Sequence, residues 1–492
     1  MLAAENATVA QLSSALAAKS ITSRELTAAF LARITVLDQR FGAVRCLAPD
    51  ALDQANRSDR VRRESGPRSP LEGLAVLVKD NIDVAGLPTT GGTLALEASY
   101  PAADAPIVAR LREAGAVVLG KTNLTELANF MSAPMPSGYS SLGGQVLNPY
   151  DATLTPSGSS SGSAAAVALG LCVVAVGTET DGSITSPAEA QSLVGLKPTL
   201  GLVSRTGVLP IASSQDTPGP LARTVADAAA LLEVLAGPDA RDPATARAHL
   251  DEVLLGEFAL RGVRLGVVVE EAEQPSCHAE ALAALQAGGA QLVEVRLPAL
   301  DHVAELAVLT YEFARDLDRY LAALPAAAPI RSLAALRAWN LEHSQAALKY
   351  GQSHLDDAAA LDLEADRPAY EQARAGDHAH ATQVLERALD GGLDALVLPG
   401  ANGASLAARA GWPSIVLPVG YAPRGRRPVG LMLVSRPWTD ARLLRLAYGL
   451  ERQLPARRPP WEVNPAAFRD VRAPHQPGVE SSSPDRATTS PS

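Results

Sequence analysis

Two short stretches about twenty residues apart concentrate hydroxyl groups and flexible backbone. The first is Thr155-Pro156-Ser157-Gly158-Ser159-Ser160-Ser161-Gly162-Ser163, which runs straight into Ala164-Ala-Ala-Val-Ala. The second is Gly177-Thr178-Glu179-Thr180-Asp181-Gly182-Ser183-Ile184. Gly/Ser clusters are ordinarily linkers, but linkers are not followed at once by an apolar helix and strand, so the two stretches read as parts of one site. A serine hydroxyl is a weak nucleophile until a neighbouring base takes its proton. The chain has no histidine before His249, which leaves carboxylates and lysine as the local candidates for that base. The run Thr180-Asp181-Gly182-Ser183 offers successive backbone N–H groups to a developing oxyanion, as acyl transfer requires.

Lysine is scarce. Of 43 cationic side chains only Lys19, Lys79, Lys121, Lys197 and Lys349 are lysine, and the rest are arginine. Lys79 ends the apolar run Leu74-Ala-Val-Leu-Val78, where partial burial is expected. A lysine acts as a base only when neutral. From its usual pKa of about 10.4, work near pH 7 needs a downward shift of about 3 units, or roughly 4 kcal/mol, from burial and neighbours. An Asp80 carboxylate facing the amine would oppose that shift, so Asp80 is expected to point elsewhere. Arginine could not substitute, because its pKa stays above about 12.

Other signals are weaker. Gly115-Ala-Val-Val-Leu-Gly120-Lys121-Thr122 fits the letters of a phosphate-binding P-loop. A P-loop follows a strand and cradles the anion with flexible backbone; here the four intervening residues read as the strand itself, and Lys121 as structural. The close pair His378 and His380 has no partner residues at metal-ligand spacing and reads as a solvated helix face. Cys46, Cys172 and Cys277 are too scattered for a disulfide framework or a paired metal site. No G-x-S-x-G elbow is present. Neither a metal nor a cofactor is expected. With 53 acidic against 43 basic residues, a net charge of −10 argues against nucleic acid as a partner.

The elements that must hold these groups alternate between strand and helix. Residues 8–38 carry helical signals, with a capping box at Thr22 and Glu25. Leu74–Val78, Ala116–Leu119 and Val263–Val269 read as buried strands, Ile107–Ala114 as a helix, and Ser414–Val419 and Leu431–Val434 as late strands. Residues 225–260 and 300–395 are Ala/Leu-rich and expected to be helical. This alternation predicts an α/β fold with helices on both faces of the sheet. The N-terminus lacks a secretory pattern, and the longest apolar run, Ala164–Gly177, is shorter than the roughly 20 residues of a spanning helix. The expected location is the cytoplasm, with no membrane partner. The Pro/Ser/Thr-rich residues 472–492 are expected to be a disordered tail.

The chain resembles the amidase signature family, and within it bacterial peptide amidases. The resemblance rests on Lys79-Asp80-Asn81, Gly120-Lys121-Thr122-Asn123, the 157–163 loop, Gly177–Ile184 and Gly195-Leu196-Lys197-Pro198-Thr199. Gln215-Asp216-Thr217-Pro218-Gly219-Pro220, Arg223–Asp227, Pro428–Leu431 and Arg457–Pro460 follow in order. It implies one large amidase-signature domain on a mixed sheet, taken here as residues 1–471, with core motifs at 70–235 and a variable helical region at about 300–395. It implies a Ser–cis-Ser–Lys triad in which Ser183 is the nucleophile, Ser159 the bridging serine and Lys79 the base. Thr180, Asp181 and Gly182 fall in the oxyanion and substrate-binding segment. The expected activity is hydrolysis of a carboxylic amide, small-molecule or peptide, through an acyl-enzyme; the alternative is the glutaminase-type subunit of glutamyl-tRNA amidotransferase. Three departures stand out: Glu179 where a shorter acid is usual, Asp181 in place of glycine, and Thr185 in place of arginine. Ser157 and Ser161 also stand where glycine is usual. Substrate specificity is expected to lie in residues 128–145 and 300–412.

Overall fold

The computed structural model describes residues 4–256, 260–270, 274–298, 302–422, 425–455 and 457–469. The strands are β1 (Val44–Leu47), β2 (Ala75–Lys79), β3 (Val117–Thr122), β4 (Tyr139–Ser140), β5 (Gly144–Gln145), β6 (Val174–Glu179), β7 (Val194–Lys197), β8 (Thr217–Ala222), β9 (Arg264–Val268), β10 (Gln291–Val295), β11 (Ala395–Pro399), β12 (Ser414–Tyr421) and β13 (Pro428–Val434). Eleven of them form one sheet in the order β1-β3-β2-β6-β8-β7-β12-β13-β11-β9-β10, and β4 pairs with β5 as a separate hairpin. The sheet is mixed: β2 runs parallel to both β3 and β6, whereas β8 is antiparallel to β6 and β7. Every residue of β2, β3, β6, β8 and β13 is buried. Strands covered on both faces read as unbroken apolar runs for this reason. The fold is a single α/β domain with helices flanking the sheet.

Local signals set the helix boundaries. Thr22 and Glu25 form the expected reciprocal capping box ahead of the helix Ser23–Phe41, which ends at Gly42 in the left-handed conformation. The helix Pro106–Glu113 gives way to β3 through Gly115, whose φ is +84° and where a Cβ would lie 2.2 Å from the Glu72 carboxylate. Gly120, Lys121 and Thr122 continue β3, so no phosphate-cradling loop exists there. Lys121 is instead fully buried, 3.0 Å from the equally buried Asp80, with Pro88 and Thr89 as further acceptors.

One expectation is corrected. The helix beginning at Val225 stops at Leu235, ahead of Gly237 and Pro238, and residues 236–256 contain only the short 3-10 turn Pro243–Arg247. Proline lacks the N–H that a continuing helix would need. The expected helices between 300 and 395 are present. Val303–Ala323, Leu333–Glu342 and Ser353–Ala359 pack a second apolar cluster onto Phe130, Met131 and Met135. Among the described residues, no helix is long and apolar enough to cross a membrane. Residues 472–492 lie outside the described residues.

Candidate active site

The C-terminal ends of β2 and β6, parallel neighbours in the sheet, emerge side by side. β2 delivers Lys79 and β6 delivers Thr178 and Glu179. The Lys79 Nζ donates to Ser159 Oγ at 2.7 Å, to Thr178 Oγ1 at 2.9 Å and to the Thr178 carbonyl at 3.2 Å. Its side chain is fully buried, and burial pulls its pKa down to about 7, against the opposing pull of the Asp216 and Glu179 charges. Asp80 is turned away, engaged by Lys121. Ser159 follows a cis Gly158–Ser159 peptide bond and leads into the helix Ser161–Ala168. Gly158 is required by proximity, since a Cβ there would sit 2.4 Å from Thr125 Oγ1. Ser157 takes a left-handed φ of +56°, and Ser161 Oγ donates to its carbonyl at 2.6 Å.

Ser183 lies on a turn held from both ends. On its far side, Glu179 Oε2 accepts from the Ile184 and Thr185 backbone N–H groups at 2.7 and 2.8 Å and from Thr185 Oγ1 at 3.0 Å. This buried knot occupies the place of the missing acid–arginine pair: the longer acid reaches the backbone itself, and the Thr185 hydroxyl supplies a third donor. On the near side, Thr180 Oγ1 donates to Asp216 at 2.5 Å, and Gln215 Nε2 donates to the Thr180 carbonyl at 3.1 Å. Between these anchors, Gly182 takes φ +78°. The Ser160 N–H donates to the Ser183 carbonyl at 3.1 Å. The backbone N–H groups of Asp181, Gly182 and Ser183 find no acceptor among the described residues.

The sequence-derived residues therefore converge, with one gap. Lys79 and Ser159 are in direct contact, and Ser183 is tied to the Ser159–Ser160 loop through its backbone. The Ser183 hydroxyl makes no hydrogen bond among the described residues. Contacts of this kind often tighten only when substrate binds. Asp181 is exposed on the nucleophile turn. Its carboxyl meets that of Glu305, and partial desolvation together with the Glu305 and Glu179 charges raises it above the usual carboxylate range. Glu305 in turn accepts from His302 Nδ1 at 3.0 Å and Ser405 Oγ at 3.3 Å. Helices from the 300–412 region thus reach the nucleophile turn.

Sequence reasoning did not single out Thr178, the second partner of Lys79, or the grip of Gln215 and Asp216 on Thr180. Thr178 carried a usable signal, since its hydroxyl belongs to the Gly177–Ile184 stretch read as part of the site. Glu305 carried none, lying more than a hundred residues away. His378 is exposed, its Nδ1 beside the Arg409 carbonyl at 3.0 Å. Among the described residues no group of three His, Cys, Asp or Glu side chains is arranged to hold a metal ion.

A hydroxyl bonded to an amine poised near neutrality, beside unclaimed N–H donors, suits enzymes that move acyl groups between oxygen and nitrogen. The family follows from the whole chain: residues 25–444 match the Amidase family model, and the protein belongs to the amidase signature family, hydrolases of carbon–nitrogen bonds. A probable amidase of Arabidopsis thaliana is 37% identical over 477 residues, covering 93% of this chain and 91% of that protein. The solved structure of native peptide amidase from Stenotrophomonas maltophilia superposes with a TM-score of 0.87 at 44% identity, covering 92% of this chain and 98% of that one. A glutamyl-tRNA(Gln) amidotransferase subunit of Myxococcus xanthus is 44% identical over 303 residues, but the match covers only 59% of this chain and 60% of that protein.

Proposed function

We propose that the protein hydrolyses primary amides, including C-terminal amides of peptides, through an acyl-enzyme on Ser183. The observation that carries this is the 2.7 Å contact between the buried Lys79 amine and the Ser159 hydroxyl, one loop from Ser183. Neutral Lys79 accepts the Ser159 proton as Ser159 accepts that of Ser183, and Ser183 Oγ bonds to the amide carbon. The carbonyl oxygen becomes an oxyanion facing the free N–H groups of the 181–183 segment, where preorganised donors contribute most. Collapse of this intermediate breaks the C–N bond, and Lys79 returns the proton through Ser159 to the leaving nitrogen. Water then repeats the sequence on the ester, releasing acid and Ser183. Similarity over nearly the full length of a peptide amidase supports the substrate class. The partial match to the amidotransferase component gives that reading less support.

The test is ammonia release by the isolated chain across aliphatic, aromatic and peptide amides, with Ser183→Ala and Lys79→Ala as controls. Turnover of simple amides without partner or tRNA, abolished in both variants, is expected. Activity confined to glutamine with a partner protein present would favour the amidotransferase role.

A further inference from the structure

The motif Gln215-Asp216 is buried and takes no part in the relay described above. Both side chains nevertheless end on Thr180. Asp216 Oδ1 accepts from the Thr180 hydroxyl at 2.5 Å, and Gln215 Nε2 donates to the Thr180 carbonyl at 3.1 Å. Asp216 is itself fixed, because its Oδ2 accepts from the Ile211 and Ala212 N–H groups at 2.9 and 3.0 Å. Thr180 is thereby clamped on both its side chain and its backbone.

The consequence is geometric. Residues 184 and 185 are pinned by Glu179, and Thr180 is pinned by Gln215 and Asp216. The intervening Asp181, Gly182 and Ser183 form a three-residue bridge whose direction is set by its two anchored ends. Those three carry the N–H groups that find no acceptor among the described residues. Relaxing either anchor lets the bridge rotate its donors away from the oxyanion.

Resting on the Ser183–Ser159–Lys79 reading, we propose that Gln215 and Asp216 are the positioning residues of the oxyanion segment.

Steady-state kinetics of the full-length protein on a simple amide, with Tm measured alongside, test the assignment. Thr180→Val removes the hydroxyl that Asp216 holds, and Gln215→Leu removes the donor to the Thr180 carbonyl; in each, kcat is expected to fall at least about tenfold with KM changed little. Thr180→Ser keeps the hydroxyl and is expected to restore most of the loss. Wild-type kcat in both Thr180→Val and Gln215→Leu overturns the assignment, as does a loss in Thr180→Ser equal to that in Thr180→Val. Should Thr180→Val not fold, Gln215→Leu decides alone. Retained turnover in Ser183→Ala would reject the triad itself. Loss there alongside wild-type kcat in the Thr180 and Gln215 variants would reject only the present assignment.

Discussion

Replacing Lys79 by methionine should remove activity and, near neutral pH, lighten a burden on the fold. Burial takes the Lys79 pKa from 10.5 to about 7, and a drop of that size corresponds to about 5 kcal/mol of preference for the neutral amine in the folded state. Between those two values the unfolded chain carries the proton and the folded protein does not. Wild-type stability therefore rises with pH across this window, by about 1.4 kcal/mol per unit, and falls as pH drops toward 7. Lys79→Met has no such term. The hydrogen bonds it loses to Ser159 and Thr178 contribute an offset that is the same at every pH in this range, so the informative quantity is the change in the stability difference. From pH 7 to pH 10 wild type should gain about 4 kcal/mol relative to the variant. For a chain of this length, unfolding entropy is about 1 kcal/mol/K, so the gain corresponds to about 4 °C in relative Tm. Thermal unfolding of both proteins at pH 7, 8, 9 and 10 reads it directly, and other titrating groups cancel in the comparison. A Tm difference that stays flat across that range would refute the claim that burial neutralises Lys79.

Lys121→Met should behave oppositely. It strands the fully buried Asp80 carboxylate without its partner at 3.0 Å, and breaking such a pair costs about 3–5 kcal/mol; the readout is a lowered Tm near pH 7, with calorimetry showing no ATP binding by either wild type or variant. Thr185→Val deletes one of three donors to Glu179 while keeping the side-chain shape, so kcat should fall several-fold with KM nearly unchanged. Thr185→Ser should restore most of that loss, and an equal loss in both variants would argue against the hydroxyl as the missing support. Gly115→Ala should destabilise the protein without altering kinetics, because a Cβ there meets the buried Glu72 carboxylate at 2.2 Å and φ is +84°; a measured Tm equal to wild type would contradict that packing.

What could be read along the chain was whatever depends on neighbours in sequence. The capping box at Thr22, the strand ending at Lys79, the helix after Ser160 and the strand at Ala116–Leu119 all rest on local periodicity and caps. The outward turn of Asp80 was also legible, because an apolar strand end that buries an amine cannot leave its neighbour's carboxylate facing it. The end of the helix at Leu235 was misjudged because alanine and leucine abundance outweighed the Gly237-Pro238 break. Sheet order was beyond reach: β8 slots between β6 and β7, and nothing in its residues specifies that pairing. The supports of the site were hidden for the same reason. Glu305 meets Asp181 across more than a hundred residues, and Asp216 meets Thr180 only because β8 returns beside β6. The replacement of an acid–arginine pair by Glu179 and Thr185 required coordinates, since it depends on which backbone N–H groups the longer carboxylate reaches.

The central claim is that Ser183 carries the acyl group and Ser159 only relays its proton. It is tested most directly by trapping the intermediate with a slowly released activated substrate and locating the adduct by mass spectrometry. Trypsin leaves both serines on one fragment, residues 122–205, because no arginine or cleavable lysine separates them and Lys197 precedes a proline; sequencing within that fragment assigns the modified residue. The expected result is an acyl adduct on Ser183, absent in Ser183→Ala and slow to form in Lys79→Ala. An adduct on Ser159, or unimpaired turnover by Ser183→Ala, would contradict the claim.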